Sequence, residues 1–201
     1  MRAQLLRDLR TAAVATVVLT LVFGLGYPAL MTGFAQVAFK HQANGSLITV
    51  KGKVVGSALA AQAFTSPKYF MERPSATSPT PYNAAATTFS NLGPTDPALT
   101  KLVSQQVAAI LKLEGPYNPG LTVHQIPVDA VTPSGSGIDP EISIAYAQLQ
   151  ARRVAAVRRL PLATVQGLIG RYTDGRSLGF FGEPGVNVLE LNIALDKQGR
   201  S

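Results

Sequence analysis

A loop rich in glycine and serine lies in the second half of this sequence. Residues 134–140 read SGSGIDP, and the chain continues with EISIAYAQLQARRV. Gly135 and Gly137 permit positive φ angles, and a glycine loop before a helix N-terminus is a common place to hold a phosphate. Asp139, however, stands where a helix cap is expected, and its carboxylate would repel an anion. The residues therefore favour a turn and a capped helix over a nucleotide site.

Other familiar catalytic patterns are missing from the sequence. There is no G-x-x-x-x-G-K-[ST] phosphate loop and no G-x-S-x-G nucleophile elbow. The chain has no cysteine, and its two histidines, His41 and His124, are far apart. We therefore expect no disulfide, no thiolate nucleophile and no conventional zinc site. The net charge of +7 is not organised into a basic and aromatic stripe, which argues against nucleic-acid binding.

A long uncharged segment near the N-terminus bears on the cellular compartment. Residues 11–39 carry no charged side chain, and about 20 apolar residues are enough to cross a bilayer. The segment exceeds the apolar core of a signal peptide and is not followed by a clean cleavage site, so an uncleaved anchor is favoured over a signal peptide. We expect a leader over 1–10, a transmembrane helix over 11–34 and a soluble domain over 35–201.

The charges that flank the uncharged segment predict its orientation. The leader carries Arg2, Arg7 and Arg10 together with the α-amino group, whereas the far flank carries Lys40, Lys51 and Lys53, so the contrast in charge is moderate. The positive-inside rule then places the N-terminus in the cytoplasm and the soluble domain in the periplasm or its equivalent. Within the span, Gly24 and Gly26 would let a neighbouring helix approach closely.

The remaining sequence predicts a single small α+β domain with helices in the majority. Hydrophobic periodicity and cap residues indicate helices over 96–115, after the SGSG loop from Asp139, over 162–173 and, more weakly, over 186–196. Runs of β-branched residues predict a strand, a turn and a second strand or short helix over 45–64, and an interrupted strand over 121–132.

A long stretch between these elements predicts a loop. Residues 65–97 are rich in proline, serine, threonine and asparagine and show no sustained period. Four aromatic residues in it, Tyr69, Phe70, Tyr82 and Phe89, argue against disorder because they can anchor the loop to a core.

Several polar residues have a structural explanation beside a functional one. Arg73 could clamp an acid or a carbonyl, although most arginines near loops are solvated. Asn91, in SNLGP, predicts a turn because asparagine tolerates positive φ. Gln148 and Gln150 lie on a predicted helix among alanine and leucine, a setting that favours an exposed or interhelical amide over a ligand contact.

Several sequence blocks follow one another in an order that resembles a known family along essentially the whole chain. After the N-terminal span come GSALAAQAF, SPKYFMERPSA, YNAAATTFSNLGP, IPVDAVT, SGSGIDPEIS, QARRVAAVR and GEPGVNVLELNIALD. This order resembles the KdpC family, the C subunits of the bacterial Kdp potassium-transporting ATPase. The resemblance implies a non-catalytic accessory subunit of the inner membrane, needed for the assembly and stability of an ATP-driven potassium uptake complex.

The resemblance also implies partners and site residues. The partners would be the lipid bilayer, a channel-like potassium-selecting subunit and a P-type ATPase subunit. The family is described as a catalytic chaperone that raises the ATP affinity of the ATPase subunit, and the glutamine linked to that role falls on Gln150. The family loop would comprise Ser134, Gly135, Ser136, Gly137 and Asp139, and the candidate subunit contacts are Gly24, Gly26, Arg73 and Asn91.

The orientation and the chaperone role conflict over ATP. ATP is cytoplasmic, whereas the charge rule places the soluble domain outside, where Gln150 cannot touch it. We therefore expect this chain to bind no cofactor firmly. We expect ATP to affect it only through the ATPase subunit. The alternative to an accessory subunit is a protein of another functional class, a membrane-anchored periplasmic enzyme or ligand-binding domain. Such a protein would need a pocket with convergent polar groups.

Overall fold

The computed structural model describes residues 1–198, and the chain divides into two compact units, the first of which is Met1–Leu47. One long helix, Arg2–Ala38, dominates the first unit. It consists of α1 (Arg2–Leu19), a π-helical stretch (Thr20–Gly26) and α2 (Tyr27–Ala38), and it is followed by the short helix α3 (Lys40–Ala43).

The long N-terminal helix is apolar enough to cross a membrane. Its best 18-residue window has a mean hydropathy of 2.0, and none of that window is buried. The helix continues past Pro28, which stands in the first turn of α2 directly after the π-helical stretch. A wider π-helical turn at this point accommodates a proline ring that would otherwise clash with the carbonyl of the residue four positions earlier.

The second unit, from Ile48 onwards, is an α+β domain in which helical residues outnumber strand residues. This confirms the predicted fold class. Its helices are α4 (Pro97–Glu114), α5 (Val128–Val131), α6 (Ile144–Arg158), α7 (Leu162–Arg171) and α8 (Val188–Gln198). The strands are β1 (Leu47–Val50), which begins at the last residue of the first unit, and, within the second unit, β2 (Lys53–Ser57), β3 (Glu141–Ser143), β4 (Thr173–Asp174) and β5 (Gly185–Asn187).

The strands form two small sheets. The neighbours β1 and β2 make the first sheet, so the element after the turn in 45–64 is the second strand and not the short helix that the sequence also allowed. The second is antiparallel with the order β3–β5–β4. Val186 at its centre lies opposite Ile142 on one side and Thr173 on the other.

Helix α6 supplies the centre of the hydrophobic core. Its small residues Ala147 and Ala151 and the following Val154 recur on one face and are almost fully buried. Small side chains let neighbouring elements approach closely, and α6 packs most extensively against α7. The core is completed by Phe70, Ile142, Val165, Ile169, Val186, Leu191 and Leu195.

The helix after the SGSG loop begins later than predicted. The expected start at Asp139 is wrong, because Glu141–Ser143 form β3 and α6 begins at Ile144. The Ser143 hydroxyl oxygen is the cap and accepts the Tyr146 N–H at 3.0 Å. Antiparallel pairing with β5, which is distant in sequence, takes up the backbone groups that an earlier helix start would have used.

The prediction of an interrupted strand over 121–132 is also wrong. Val123–Gln125 form a 3₁₀ turn and Val128–Val131 form α5. A capping box between Thr122 and Gln125 starts the turn, and this local pairing prevails over the β-branched pattern. His124 therefore lies in an exposed turn rather than in a strand.

The other helix predictions are confirmed. Asp96 caps α4 by accepting the Ala98 N–H at 2.8 Å, with Pro97 in the first turn. The apolar stripe of α4 buries Ile110 and packs its neighbours against the core. Helices α7 and α8 correspond to the predicted 162–173 and 186–196, although the second of these segments begins as the strand β5.

The long loop is confirmed and is held by aromatic residues, as expected. Phe70 is fully buried, the Tyr69 hydroxyl donates to Asp196 Oδ2 at 2.9 Å, and the Tyr82 hydroxyl donates to the Arg73 carbonyl at 2.9 Å. Phe89 departs from the expectation, since it is 54% exposed.

Candidate functional site

Gln150 lies inside the domain, where both ends of its amide are hydrogen-bonded to one residue of the long loop. Its side chain projects from α6 and is fully buried. Gln150 Oε1 accepts the Met71 N–H at 2.7 Å, and Gln150 Nε2 donates to the Met71 carbonyl at 3.0 Å. The amide thus pairs with the loop backbone as a neighbouring strand would.

Asn192 on α8 repeats this arrangement at the preceding residue of the loop. The Phe70 N–H donates to Asn192 Oδ1 and Asn192 Nδ2 donates to the Phe70 carbonyl, both at 2.9 Å. We call Gln150 and Asn192 the amide clamp. Together they satisfy all the backbone polar groups of two successive loop residues, which would otherwise be buried without partners.

Arg153 extends the amide clamp along the loop. Its guanidinium is fully buried, and Nη2 donates to Gln150 Oε1 at 2.9 Å. Nη1 donates to the carbonyl of Tyr69 at 2.9 Å and to the carbonyl of Pro67. Five donors in a fixed fork allow one guanidinium to bridge several loop carbonyls and the clamp at once.

Glu114, the last residue of α4, balances the charge of Arg153. Glu114 Oε1 accepts from Arg153 Nε at 2.7 Å, and the two side chains are 1% and 0% exposed. A buried guanidinium is tolerated only when it is paired and hydrogen-bonded, and this carboxylate provides the pairing. The cluster therefore connects the loop, α4 and α6 through groups whose donors are engaged, an arrangement suited to holding a loop in place.

Glu72 follows Met71, the residue that Gln150 holds, and its buried carboxylate differs from the paired groups of the cluster. It is 5% exposed, and neither carboxylate oxygen has a hydrogen-bond partner of good geometry among residues 1–198. Burial raises the pKa of Glu72 well above its ordinary value; the nearby Gln62 backbone offsets part of this rise, and the charge of Asp139 adds to it. Glu72 and Tyr82 line a cavity of about 400 Å³, and burial followed by the charge of Glu72 raises the pKa of Tyr82 to about 12.

Two serines of the SGSG loop accept backbone N–H groups of the same loop. The Gly137 N–H donates to Ser134 Oγ at 3.0 Å, and the Ile138 N–H donates to Ser136 Oγ at 3.2 Å. Gly137 has a φ of 72° and is buried, whereas Gly135 is exposed. The serine oxygens thus occupy N–H groups that a phosphate cradle would need to leave open.

Arg73 and Asp139 connect the SGSG loop to the long loop. Arg73 Nη1 lies 3.2 Å from Asp139 Oδ2, and Asp139 Oδ1 accepts the Glu141 N–H at 3.1 Å. Asp139 therefore pairs with an arginine and tethers the start of β3. This pair is partly exposed, so its contribution to stability is modest, at about 1 kcal/mol or less.

The other candidate residues lie apart from the amide clamp. Asn91 is exposed and adopts a positive φ of 55°, as expected of asparagine, whereas the turn in this stretch lies at Pro94 and Thr95. Gly24 and Gly26 lie in the exposed π-helical stretch of the N-terminal unit. Gln148 is exposed on α6 and accepts from Gln166 Nε2 at 3.1 Å. Among residues 1–198, no three histidine or acidic side chains converge as a metal site.

No motif in the sequence singles out Glu114, Asn192 or Arg153 as members of this cluster. The sequence does contain one signal for the clamp, and it concerns Gln150. On a helix, Gln150 shares the face of Ala147, Ala151 and Val154, so helical periodicity alone places its amide against the core. The partners of that amide come from a loop without periodicity, and no pattern in the sequence identifies them.

Comparison with known proteins agrees with the resemblance seen in the sequence. The family model described as K⁺-transporting ATPase, c chain, matches residues 9–197. This range includes the apolar helix from residue 9 onwards and every element of the soluble domain up to the last turn of α8.

Individual relatives match over nearly their whole length. The chain is 50% identical over 192 residues to the potassium-transporting ATPase KdpC subunit of Methylococcus capsulatus, covering 96% of this chain and 98% of the relative. It is 52% identical over 192 residues to the protein of the same name from Sorangium cellulosum, covering 96% and 98%. It is 53% identical over 188 residues to that from Paraburkholderia phytofirmans, covering 94% and 95%. The chain therefore belongs to the KdpC family of potassium-transporting ATPase subunits.

Proposed function

We propose that this chain is a non-catalytic accessory subunit of an ATP-driven potassium uptake complex and is required for the assembly and stability of that complex. The observation that carries this proposal is the match to the KdpC family from residue 9 to residue 197. Its partners in the complex are a channel-like potassium-selecting subunit and a P-type ATPase subunit, together with the surrounding bilayer.

The buried polar cluster supports a structural role for the soluble domain. The amide clamp and Arg153 hold residues 67–71 of the loop by hydrogen bonds, and Glu114 pairs with Arg153 behind them. Fixing a long loop preorganises its surface for a partner, because the ordering entropy is no longer lost on binding. We infer that the domain presents this loop, with Arg73 nearby, to the larger subunits.

The geometry of Gln150 suits an indirect effect on ATP affinity better than a direct contact. A nucleotide could reach this amide only after it had broken two hydrogen bonds to Met71 and opened the core. Any influence of Gln150 on ATP then acts through the shape of the subunit, and ATP belongs to the ATPase subunit of the complex.

Co-purification and potassium-stimulated ATP hydrolysis test the proposed function. The other subunits are expressed with and without this chain, and the tagged ATPase subunit is purified. We expect the channel-like subunit and potassium-stimulated hydrolysis to be lost without the chain, and the chain alone to hydrolyse no ATP. Full assembly and activity without the chain would overturn the proposal.

The Gln150→Ala variant separates the two explanations of that residue, with the exposed Gln148→Ala as its matched control. A structural role predicts a less stable domain and less assembled complex, and any change in the KM for ATP accompanies that loss of stability. A direct nucleotide contact predicts normal assembly and a raised KM. Gln148→Ala is expected to leave both quantities unchanged.

We further propose that the N-terminus is cytoplasmic and the soluble domain periplasmic. Because the chain has no cysteine, Leu6→Cys and Ser136→Cys each introduce a unique thiol at an exposed position. A membrane-impermeant maleimide should label Ser136→Cys in intact cells and Leu6→Cys only after permeabilisation. The reverse pattern would overturn the orientation and would expose the SGSG loop to cytoplasmic ATP.

A further inference from the structure

A short loop between β4 and β5 presents three large apolar side chains to solvent. Leu178, Phe180 and Phe181 are 83%, 63% and 58% exposed. We call these three residues the apolar tip. Isolated exposed apolar residues are common on proteins, but three within four positions of one loop form a contiguous feature that marks an interaction site.

The apolar tip is held in one shape by its own backbone. Ser177 and Phe181 exchange two backbone hydrogen bonds of 2.9 Å, and the rings of Phe180 and Phe181 are 4.1 Å apart. Leu178 adopts a φ of 54°, a conformation that side chains other than glycine rarely take. A local strain that displays an apolar side chain to water is typical of a functional site.

Charge does not oppose the entry of the apolar tip into an apolar phase. Arg176 Nη2 lies 2.8 Å from both carboxylate oxygens of Glu183, so the two charges at the base of the loop neutralise each other. The residues between them, SLGFFG, carry no charge. A charged side chain is expensive in hydrocarbon, and this loop keeps its only two ionised groups paired behind the tip.

The chain itself keeps a bilayer within reach of the domain. The apolar helix ends at Ala38 and β1 begins at Leu47. A connection of this length spans roughly 30 Å even when fully extended. As long as the helix crosses a membrane, the domain remains beside that membrane, and the bilayer is the one apolar phase that the chain brings with it.

We propose that the apolar tip inserts into the interfacial region of the adjacent leaflet and serves as a second membrane attachment of the soluble domain. Aromatic side chains favour this depth, and a second weak attachment becomes effective when a first one already holds the protein at the surface. The proposal rests on the helix being membrane-embedded and is independent of the role in potassium transport.

Tryptophan fluorescence tests the proposal directly, since the chain contains no tryptophan. The full-length Phe180→Trp variant is placed in nanodiscs of zwitterionic lipid with or without brominated acyl chains. We expect blue-shifted emission and at least a twofold loss of intensity with brominated lipid. The control is Phe89→Trp, which replaces an exposed ring outside the apolar tip and should show solvent-like emission without quenching.

Two further measurements keep the outcome decisive. Phe181→Trp repeats the test at a neighbouring position, and far-UV circular dichroism confirms that each variant is folded. Solvent-like emission without quenching at both positions would overturn the proposal. An emission shift that appears only in the assembled complex and resists brominated lipid would also overturn it, because the apolar tip would then dock on a partner subunit.

Discussion

Gln150 and Met71 exchange two hydrogen bonds across 79 positions of sequence, so that one side-chain amide substitutes for a neighbouring strand. Asn192 does the same for Phe70, the preceding residue of the loop. A segment without helix or strand thereby gains the backbone pairing that burial requires. The loop is held by side chains of two helices, and its stability depends on these few groups.

The first prediction concerns the amide clamp. Replacing Gln150 by leucine keeps the volume but leaves the Met71 N–H and carbonyl buried without partners, and each orphan group costs about 1–3 kcal/mol. We expect the free energy of unfolding of the domain to fall by about 2–4 kcal/mol. The measurement is urea unfolding of the full-length protein in detergent micelles, followed by near-UV circular dichroism.

The matched control for this prediction is Gln148→Leu on the exposed side of the same helix. A surface substitution of this kind changes stability by about 0.5 kcal/mol or less. Equal effects of the two substitutions would contradict the assignment of Gln150 to the clamp.

The second prediction concerns the buried pair of Arg153 and Glu114. Glu114→Gln removes the negative charge and leaves the guanidinium buried with only neutral partners, which should destabilise the domain by about 3–5 kcal/mol. Arg153→Met removes the other partner and should be similarly damaging. The double variant should lose less than the sum of the two single losses, because neither charge is then left alone.

A double-mutant cycle on unfolding free energies measures this coupling. Strict additivity would show that the pair does not act as a unit. The exposed pair of Arg176 and Glu183 is the control, and its coupling should be about 1 kcal/mol or less.

The third prediction concerns Glu72, whose pKa burial raises well above its ordinary value. The folded state then binds a proton more tightly than the unfolded state. The contribution of Glu72 to stability is therefore complete below the ordinary carboxyl pKa of the unfolded state. It is lost as the pH rises through the raised pKa of the folded state. The free energy of unfolding changes by at most about 1.4 kcal/mol per pH unit for a single group.

Glu72→Gln removes this titration and retains the shape of the side chain. We expect the variant to be more stable than the parent at pH 8 and to show a flatter profile between pH 5 and pH 8. The measurement is the thermal midpoint of the full-length protein at each pH. Glu190→Gln makes the same substitution at a partly exposed position and is the matched control.

The fourth prediction separates the two glycines of the SGSG loop. Gly137 has a φ of 72°, and a Cβ there would lie 2.7 Å from the Thr88 carbonyl oxygen. Gly135 has neither a positive φ nor any atom within 4 Å of an added Cβ. Gly137→Ala should therefore destabilise the domain by about 1–3 kcal/mol, whereas Gly135→Ala should be neutral or slightly stabilising.

This difference in stability is measured by thermal unfolding of the two glycine variants. If both substitutions abolished function in the assembled complex without any loss of stability, the loop would have a role beyond turning the chain. Because the serine hydroxyl oxygens of the loop already accept its own N–H groups, we expect Gly135→Ala to be fully active.

The sequence by itself determined the long apolar N-terminal helix, the α+β class and most of the other helices. These features depend on local properties, namely apolar length, helical periodicity and caps such as Asp96 and Pro97. The order of the blocks from GSALAAQAF to GEPGVNVLELNIALD is also a property of the sequence, and it is enough to indicate the family.

Tertiary structure alone decided where α6 begins and what Gln150 does. The start of α6 moved to Ile144 because β5, more than forty residues away, pairs with Glu141–Ser143. Gln150 became half of a clamp because the loop residue Met71 folds against it, and the same fold buried the neighbouring Glu72 carboxylate away from water. Such roles depend on which backbone groups lose water and which side chains lie within reach, and both are set by contacts between segments that are distant along the chain.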